Sequence, residues 1–197
     1  MDYRIVDRTL VVSGKFEALS SGVDGGRRAV DHILNIQVPH DFSHSDPKRF
    51  INDKAASLNL AGSYIALLTA VEMKNVQTLS NACLTAFVTA GLTNPSSFGT
   101  INIILVSSRK LSEGAMAGAI ITATEAKTRA LLDYGFNFTG TTTDAVVIAH
   151  ENSGDDRLVV YSGPATPFGK RVTKLVRLGV KNALKAHYGT DDVRTWR

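Results

Sequence analysis

The stretch from Gly99 to Ala149 places one long helical pattern between two runs of apolar, strand-forming residues. The first run, GTINIILV, and the second, DAVVIA, are rich in β-branched residues, which predicts two buried strands. Between them, Ser112 is a suitable N-cap, and Gly135 ends a helix that reaches about Tyr134. We therefore expect the working part of the protein to be this strand–helix–loop–strand unit.

Shorter patterns on either side predict further strands. Residues 3–12 are typical of a hairpin that turns at Asp7, and the apolar run at residues 64–71 is typical of a buried strand. Residues 75–92 form another long extended segment, which we expect to pair with that strand. A last hairpin is predicted after the long helix, with its turn at residues 152–156.

Two more helices complete the pattern. Asp46 caps a helix at residues 47–58, and Thr166 opens another that continues to about residue 187. Because the connections between strands are short, antiparallel neighbours are favoured. The order of elements predicts an α+β fold in one domain over residues 1–197, with a mixed, largely antiparallel sheet covered by three or four helices.

Composition excludes several classes of protein. A chain of 197 residues with 44% hydrophobic and 20% charged residues is typical of one globular domain. The single cysteine, Cys83, excludes an internal disulfide and suits a reducing cytosol. No apolar run reaches the ~18 residues of a membrane span, so we expect a cytoplasmic protein with no membrane partner.

The last helix carries a basic stripe opposite its apolar face, composed of Lys170, Lys174, Arg177, Lys181 and Lys185. Such a stripe is consistent either with nucleic-acid binding or with a solvated helix face. No aromatic stacking set accompanies it, and the net charge is only +4. We expect the solvated face and no nucleic-acid partner.

Two charged residues of the long helix do not fit a plain core pattern. Lys127 lies in the middle of the apolar side, where an ammonium group needs a partner or must reach solvent along its stem. Either the side chain snorkels, or it points into a cleft beside a carboxylate. Glu125 falls almost opposite Lys127 on the helical wheel, so by periodicity it is solvated.

Polar residues also occur where strands are expected. Asn102 interrupts an apolar strand, so its amide either joins a buried hydrogen-bond network or faces a ligand. The loop Thr139–Asp144 is either a hydroxyl-rich turn or a polar site. The glycine-rich loop at residues 20–26 is open to the same two interpretations. His40 and His44 have a metal-ligand spacing, but prolines bracket them and no third ligand is near, so we expect no metal and no cofactor.

The motifs SSGVDGG, ILNIQV, TAGLTN, GTINIILV, LSEGAM, TATEAKTRALLDYG and TGTTTDAVVIA follow one another between about residues 20 and 180. In this order they resemble the adenosylcobinamide amidohydrolase family. Two positions depart from the family pattern, because Thr142 stands where glycine is usual and Pro95 where a small residue is usual.

The resemblance implies an enzyme of corrinoid salvage that hydrolyses the amide joining aminopropanol to the corrin ring of adenosylcobinamide, giving adenosylcobyric acid. It also picks out Glu125, Lys127, Asn102 and Asp144. Our hypothesis is that Glu125 or Asp144 is the base for a water and that Lys127 orients a carboxylate or polarises the substrate. Asn102 and loop amides near Thr141 would stabilise the oxyanion. The substrate-binding candidates are Asn102, Thr100, Thr141, Thr143, Ser21 and Gly26.

Three points stay open at this level. A threonine nucleophile is an alternative to an activated water. A non-catalytic protein that holds a corrinoid in the same cleft is an alternative to the enzyme. We expect a corrinoid substrate as the partner, and the sequence leaves open whether the chain forms a homo-oligomer.

Overall fold

The computed structural model describes residues 1–92 and 99–189, with the backbone alone at residues 153–156. Pro95 lies outside the described residues. The described elements, in chain order, are β1 (Asp2–Val6), β2 (Thr9–Ser20), β3 (Gly26–Gln37), α1 (Pro47–Ser57), β4 (Tyr64–Thr69), β5 (Gln77–Asn81), β6 (Leu84–Leu92), β7 (Gly99–Leu111), α2 (Glu113–Asp133), β8 (Ala145–Val159) and α3 (Pro167–Tyr188). None of the described helices is both long and apolar enough to cross a membrane.

Local sequence signals set the ends of these elements. The hydroxyl of Ser112 accepts a hydrogen bond from an N–H of the first turn of α2, and Thr166 does the same for α3. Asp46 caps α1 in the same way. Asp7 has a positive φ of 44°, which suits the tight turn between β1 and β2. The predicted helices and the first hairpin are therefore confirmed.

The strands form one mixed sheet with the order β4-β3-β2-β8-β7-β6-β5, and β1 pairs with β2 beside this path. The two crossovers that contain α1 and α2 make β3–β4 and β7–β8 parallel, and the other pairs are antiparallel. This confirms the predicted α+β class with a largely antiparallel sheet.

Two predicted strand pairings are wrong. Residues 77–92 fold into the hairpin β5–β6, and β6 pairs with β7, whereas β4 pairs with β3. The predicted hairpin around residues 152–156 is instead one continuous strand, β8, which follows β7 throughout. Register shifts along β7 accommodate the extra residues of β8 as bulges, so the turn-forming composition does not reverse the chain.

The sheet curls over so that β2, β3 and β4 face β6, β7 and β8 across a shared apolar core. The opposite face of β6, β7 and β8 packs against α2 and α3. The outer face of β2, β3 and β4 packs against α1. This curvature brings the beginning of β7 and β8 near the end of β4, and a cleft opens there.

Candidate active site

The cleft has a volume of about 950 Å³ and lies where the loop before β8 and the start of β7 meet the ends of β4 and β6. Its wall contains the candidates Ser21, Thr100, Asn102, Thr143 and Asp144. Sequence reasoning therefore found residues from three separate segments that the fold brings together. A cleft of this size is in the range that binds small molecules.

Asp144 is held by donors on all sides. The Lys127 ammonium group and the Thr141 N–H (2.9 Å) donate to its Oδ2 atom. The Ile101 N–H (2.9 Å) and the Thr141 hydroxyl donate to its Oδ1 atom. Asp144 and Lys127 are both largely buried. Of the two interpretations of Lys127, the snorkelling one is wrong and the carboxylate partner is found, but Lys127 is not among the residues that line the cleft.

The threonine hydroxyls connect the loop before β8 to the first residues of β7. Thr143 Oγ1 lies 2.6 Å from Thr100 Oγ1 and donates to the Gly99 carbonyl at 2.9 Å. Thr141 Oγ1 lies 2.8 Å from the same carbonyl, on the side away from the cleft lining. Among the described residues, Thr143 Oγ1 hydrogen-bonds only with a threonine hydroxyl and a backbone carbonyl, and neither is a base that would activate it as a nucleophile.

Asn102 belongs to a buried amide network that crosses from one half of the sheet to the other. Its Nδ2 atom donates to Asn35 Oδ1 at 2.8 Å and to the Leu68 carbonyl at 2.9 Å. Asn35 in turn donates to Thr89 Oγ1 at 3.0 Å. Sequence reasoning missed Asn35 and Thr89, although both interrupt apolar strands just as Asn102 does.

This geometry changes the role that Asn102 can take. The sequence led us to expect that Asn102 stabilises an oxyanion. Both of its amide protons are instead used within the protein, so it has no free donor for that role. Its Oδ1 atom is buried and has no partner among the described residues. Asn102 is among the residues that line the cleft, so a ligand N–H that comes within reach of this oxygen would supply the donor it lacks.

The loop before β8 also contributes two backbone amides at the cleft. Thr142 and Thr143 both line it. Neither backbone N–H has a hydrogen-bond acceptor among the described residues, whereas the Thr141 N–H is used by Asp144. These two N–H groups are therefore available to an acceptor that enters the cleft.

Two sequence candidates lie away from the cleft. Glu125 is exposed on the face of α2 opposite to Lys127, as its helical-wheel position indicated, and it does not line the cleft. Gly26 is exposed at the start of β3 with a φ of 98°, whereas Ser21, from the same loop, lines the cleft. Ser21 receives the Val146 N–H at 3.0 Å, which fixes the loop against β8.

Three histidines complete the polar lining of the cleft: His40, His44 and His187. Burial and the nearby charge of His40 lower the pKa of His187 from its usual value, against a smaller opposing effect of Glu72. Sequence reasoning considered the first two only as metal ligands and missed His187. Among the described residues, no three His, Cys, Asp or Glu side chains are grouped to hold a metal ion.

Comparison with known proteins gives one consistent result. The family model described as adenosylcobinamide amidohydrolase matches residues 8–192. A protein of Methanosarcina mazei named adenosylcobinamide amidohydrolase is 46% identical over 196 residues, covering 94% of this chain and 98% of the relative. A protein of Halobacterium salinarum with the same name is 31% identical over 185 residues, covering 84% and 79%. No solved structure matches the chain.

Proposed function

This chain belongs to the adenosylcobinamide amidohydrolase family, and we propose that its cleft is where the amide between aminopropanol and the corrin ring is hydrolysed. Membership makes the chain an amidohydrolase of corrinoid salvage that acts on adenosylcobinamide. The products are adenosylcobyric acid and aminopropanol. Every residue that lines the cleft falls within the matched range.

The observation that carries this location is Asn102, which lines the cleft and whose buried Oδ1 atom has no hydrogen-bond donor among the described residues. Leaving a buried carbonyl oxygen without a donor costs about 1–3 kcal/mol. The N–H of the scissile amide, or of a neighbouring amide on the corrin periphery, is the kind of donor that would remove this cost. The cleft would hold the edge of the corrin that carries the aminopropanol group.

The loop before β8 would supply electrostatic stabilisation. When water attacks the amide carbon, negative charge develops on the carbonyl oxygen, and the N–H groups of Thr142 and Thr143 can donate to it. The Asp144–Lys127 pair would position this loop, because Asp144 accepts from the loop and from β7 while Lys127 donates to it from α2. We accordingly assign Asp144 and Lys127 to positioning, and water to the attack.

The test is incubation of the purified protein with adenosylcobinamide, with aminopropanol and adenosylcobyric acid quantified by chromatography. We expect stoichiometric release of both products. Lys170→Gln, on the exposed face of α3, is the control variant and should match the wild type. Tight binding without any aminopropanol release would instead support the alternative of a non-catalytic corrinoid-binding protein.

A further inference from the structure

The described titratable side chains on the cleft wall are Asp144 and the three histidines His40, His44 and His187. Asp144 already accepts hydrogen bonds from Lys127, Thr141 and Ile101 at both oxygens. Each of the two oxygens therefore already has two donors, which leaves this carboxylate no free acceptor position for a water. Amide hydrolysis still needs a group that takes a proton from water and returns one to the leaving amine.

The three histidines differ in their surroundings. His44 receives the Asp46 N–H at Nδ1 (3.0 Å), and its ring lies against those of Phe42 and Phe50, which also contact each other. His40 is exposed in the loop after β3. His187, in the last turn of α3, is half-buried, and its ring contacts that of Tyr188 edge-on. Of the three, His187 is therefore the histidine that is partly buried and that does not belong to the Phe42–His44–Phe50 cluster.

Gly91 lets the imidazole of His187 reach the cleft. A Cβ atom at this position of β6 would lie 3.3 Å from His187 Nε2 and 2.6 Å from a Val71 methyl carbon. Gly91 pairs directly with Thr100 of β7, so the two residues share one face of the sheet. Asn102, two residues further along β7, is on that same face. The imidazole thus lies at the wall that carries the Thr100 hydroxyl and the Asn102 carbonyl.

We propose that His187 is the general acid–base residue of the hydrolysis, an inference that rests on the proposed function. As the oxygen of water bonds to the amide carbon, a proton passes from that water to the neutral imidazole. When the tetrahedral intermediate collapses, the C–N bond breaks and the imidazolium gives this proton to the leaving nitrogen. The products are the corrinoid carboxylic acid and the free amine, and no other reactant is consumed.

The groups around His187 suit this role. Burial and the charge of His40, from the loop after β3, lower its pKa below the usual value near 6.5. Glu72, after β4, acts in the opposite direction and is itself paired with Lys74. The imidazole is consequently neutral at physiological pH and ready to accept a proton.

The experiment measures kcat, KM and the pH profile of adenosylcobinamide hydrolysis for the wild type and for His187→Gln. We expect kcat to fall about 100-fold or more with little change in KM, and the acidic limb of the profile to disappear. Thermal unfolding and binding of adenosylcobinamide show whether the variant is folded. Wild-type protein that releases no aminopropanol contradicts the proposed function; an active wild type with a fully active His187→Gln overturns only this inference.

Two neighbouring variants give a second measurement that does not require His187→Gln to fold. Removing the charge of His40 with His40→Gln should move the acidic limb to higher pH. Removing the charge of Glu72 with Glu72→Gln should move it to lower pH. A limb that stays in place in both variants would contradict titration of His187 in the reaction.

Discussion

Lys127 of α2 and Asp144 before β8 form an ion pair whose side chains are 8% and 12% exposed. The pair fastens the loop of the cleft to the helix behind it. Two backbone groups also donate to Asp144, the Thr141 N–H of the loop and the Ile101 N–H of β7. The shape of the cleft wall consequently depends on this one carboxylate.

Lys127→Met should lower the free energy of unfolding by about 3 kcal/mol, because it leaves a buried carboxylate without its cation. Asp144→Asn should be similarly destabilising, and the double variant should lose clearly less than the sum. Urea unfolding of the four proteins measures the coupling. Arg129→Gln, which breaks the exposed pair with Asp133, is the control and should cost less than about 1 kcal/mol. Equal losses for Lys127→Met and the control would contradict the buried pair.

Asn102→Leu should affect both stability and substrate binding. It removes two donors from buried acceptors, which costs about 1–3 kcal/mol for each acceptor left unpaired. It also removes the carbonyl proposed to receive a substrate N–H, so we expect KM to rise about tenfold. Thr89→Val is the matched control, since it breaks the same network at a fully buried position outside the cleft lining. It should destabilise without changing KM, and a tenfold rise in its KM would show that the network alone sets binding.

Signals that are local in the sequence predicted structure well. Ser112, Asp46 and Thr166 cap the helices that they were expected to cap, because a cap needs only an oxygen next to free N–H groups one turn ahead. The wheel position of Lys127 likewise placed its ammonium group on the apolar side of the helix and left a carboxylate partner as one of two interpretations. Such inferences need only the geometry of one helix.

Signals that depend on distant partners failed. The pairing of β4 was missed because α1 carries the chain over to a parallel neighbour, and sequence separation alone does not reveal this. The composition of residues 152–156 is typical of a turn, yet pairing with β7 keeps the chain extended there. The donors of Asn102 were assigned to a substrate because its partner Asn35 lies on a strand that is not adjacent to β7 in the sheet.

Gly91→Ala should impair both folding and catalysis. The added methyl group would meet a Val71 carbon at 2.6 Å and His187 Nε2 at 3.3 Å. Overpacking of this kind costs about 1–3 kcal/mol, and displacement of the imidazole should lower kcat. Gly114→Ala in the first turn of α2, where the methyl group meets nothing within 4 Å, should be neutral or stabilise by up to about 1 kcal/mol. The melting temperature and kcat of both variants are the measurements. If Gly91→Ala changed neither of them more than Gly114→Ala does, the close approach of Val71 and His187 to Gly91 would be contradicted.

Tyr188→Phe should remove a pH dependence of stability in the alkaline range. The Tyr188 hydroxyl receives the Leu92 N–H at 2.5 Å and donates to the Leu92 carbonyl, and burial raises its pKa to about 12. Since this folded-state pKa exceeds the usual value near 10, the folded protein retains a proton that the unfolded chain releases. The stability that Tyr188 contributes is therefore fully present below pH 10 and is lost as the pH rises towards 12.

The measurement for Tyr188 is the free energy of unfolding in urea at several pH values between 9 and 11, followed by circular dichroism. Other tyrosines and lysines also titrate in this range, so the informative quantity is the difference between the wild type and Tyr188→Phe. That difference should shrink as the pH rises, because the wild type loses the stability contributed by the protonated Tyr188 hydroxyl, which the variant lacks at every pH. Tyr161→Phe, at a side chain that is 76% exposed, should follow the wild type at every pH. A constant difference between the wild type and Tyr188→Phe would show that the hydroxyl contributes only its two hydrogen bonds, without the raised pKa.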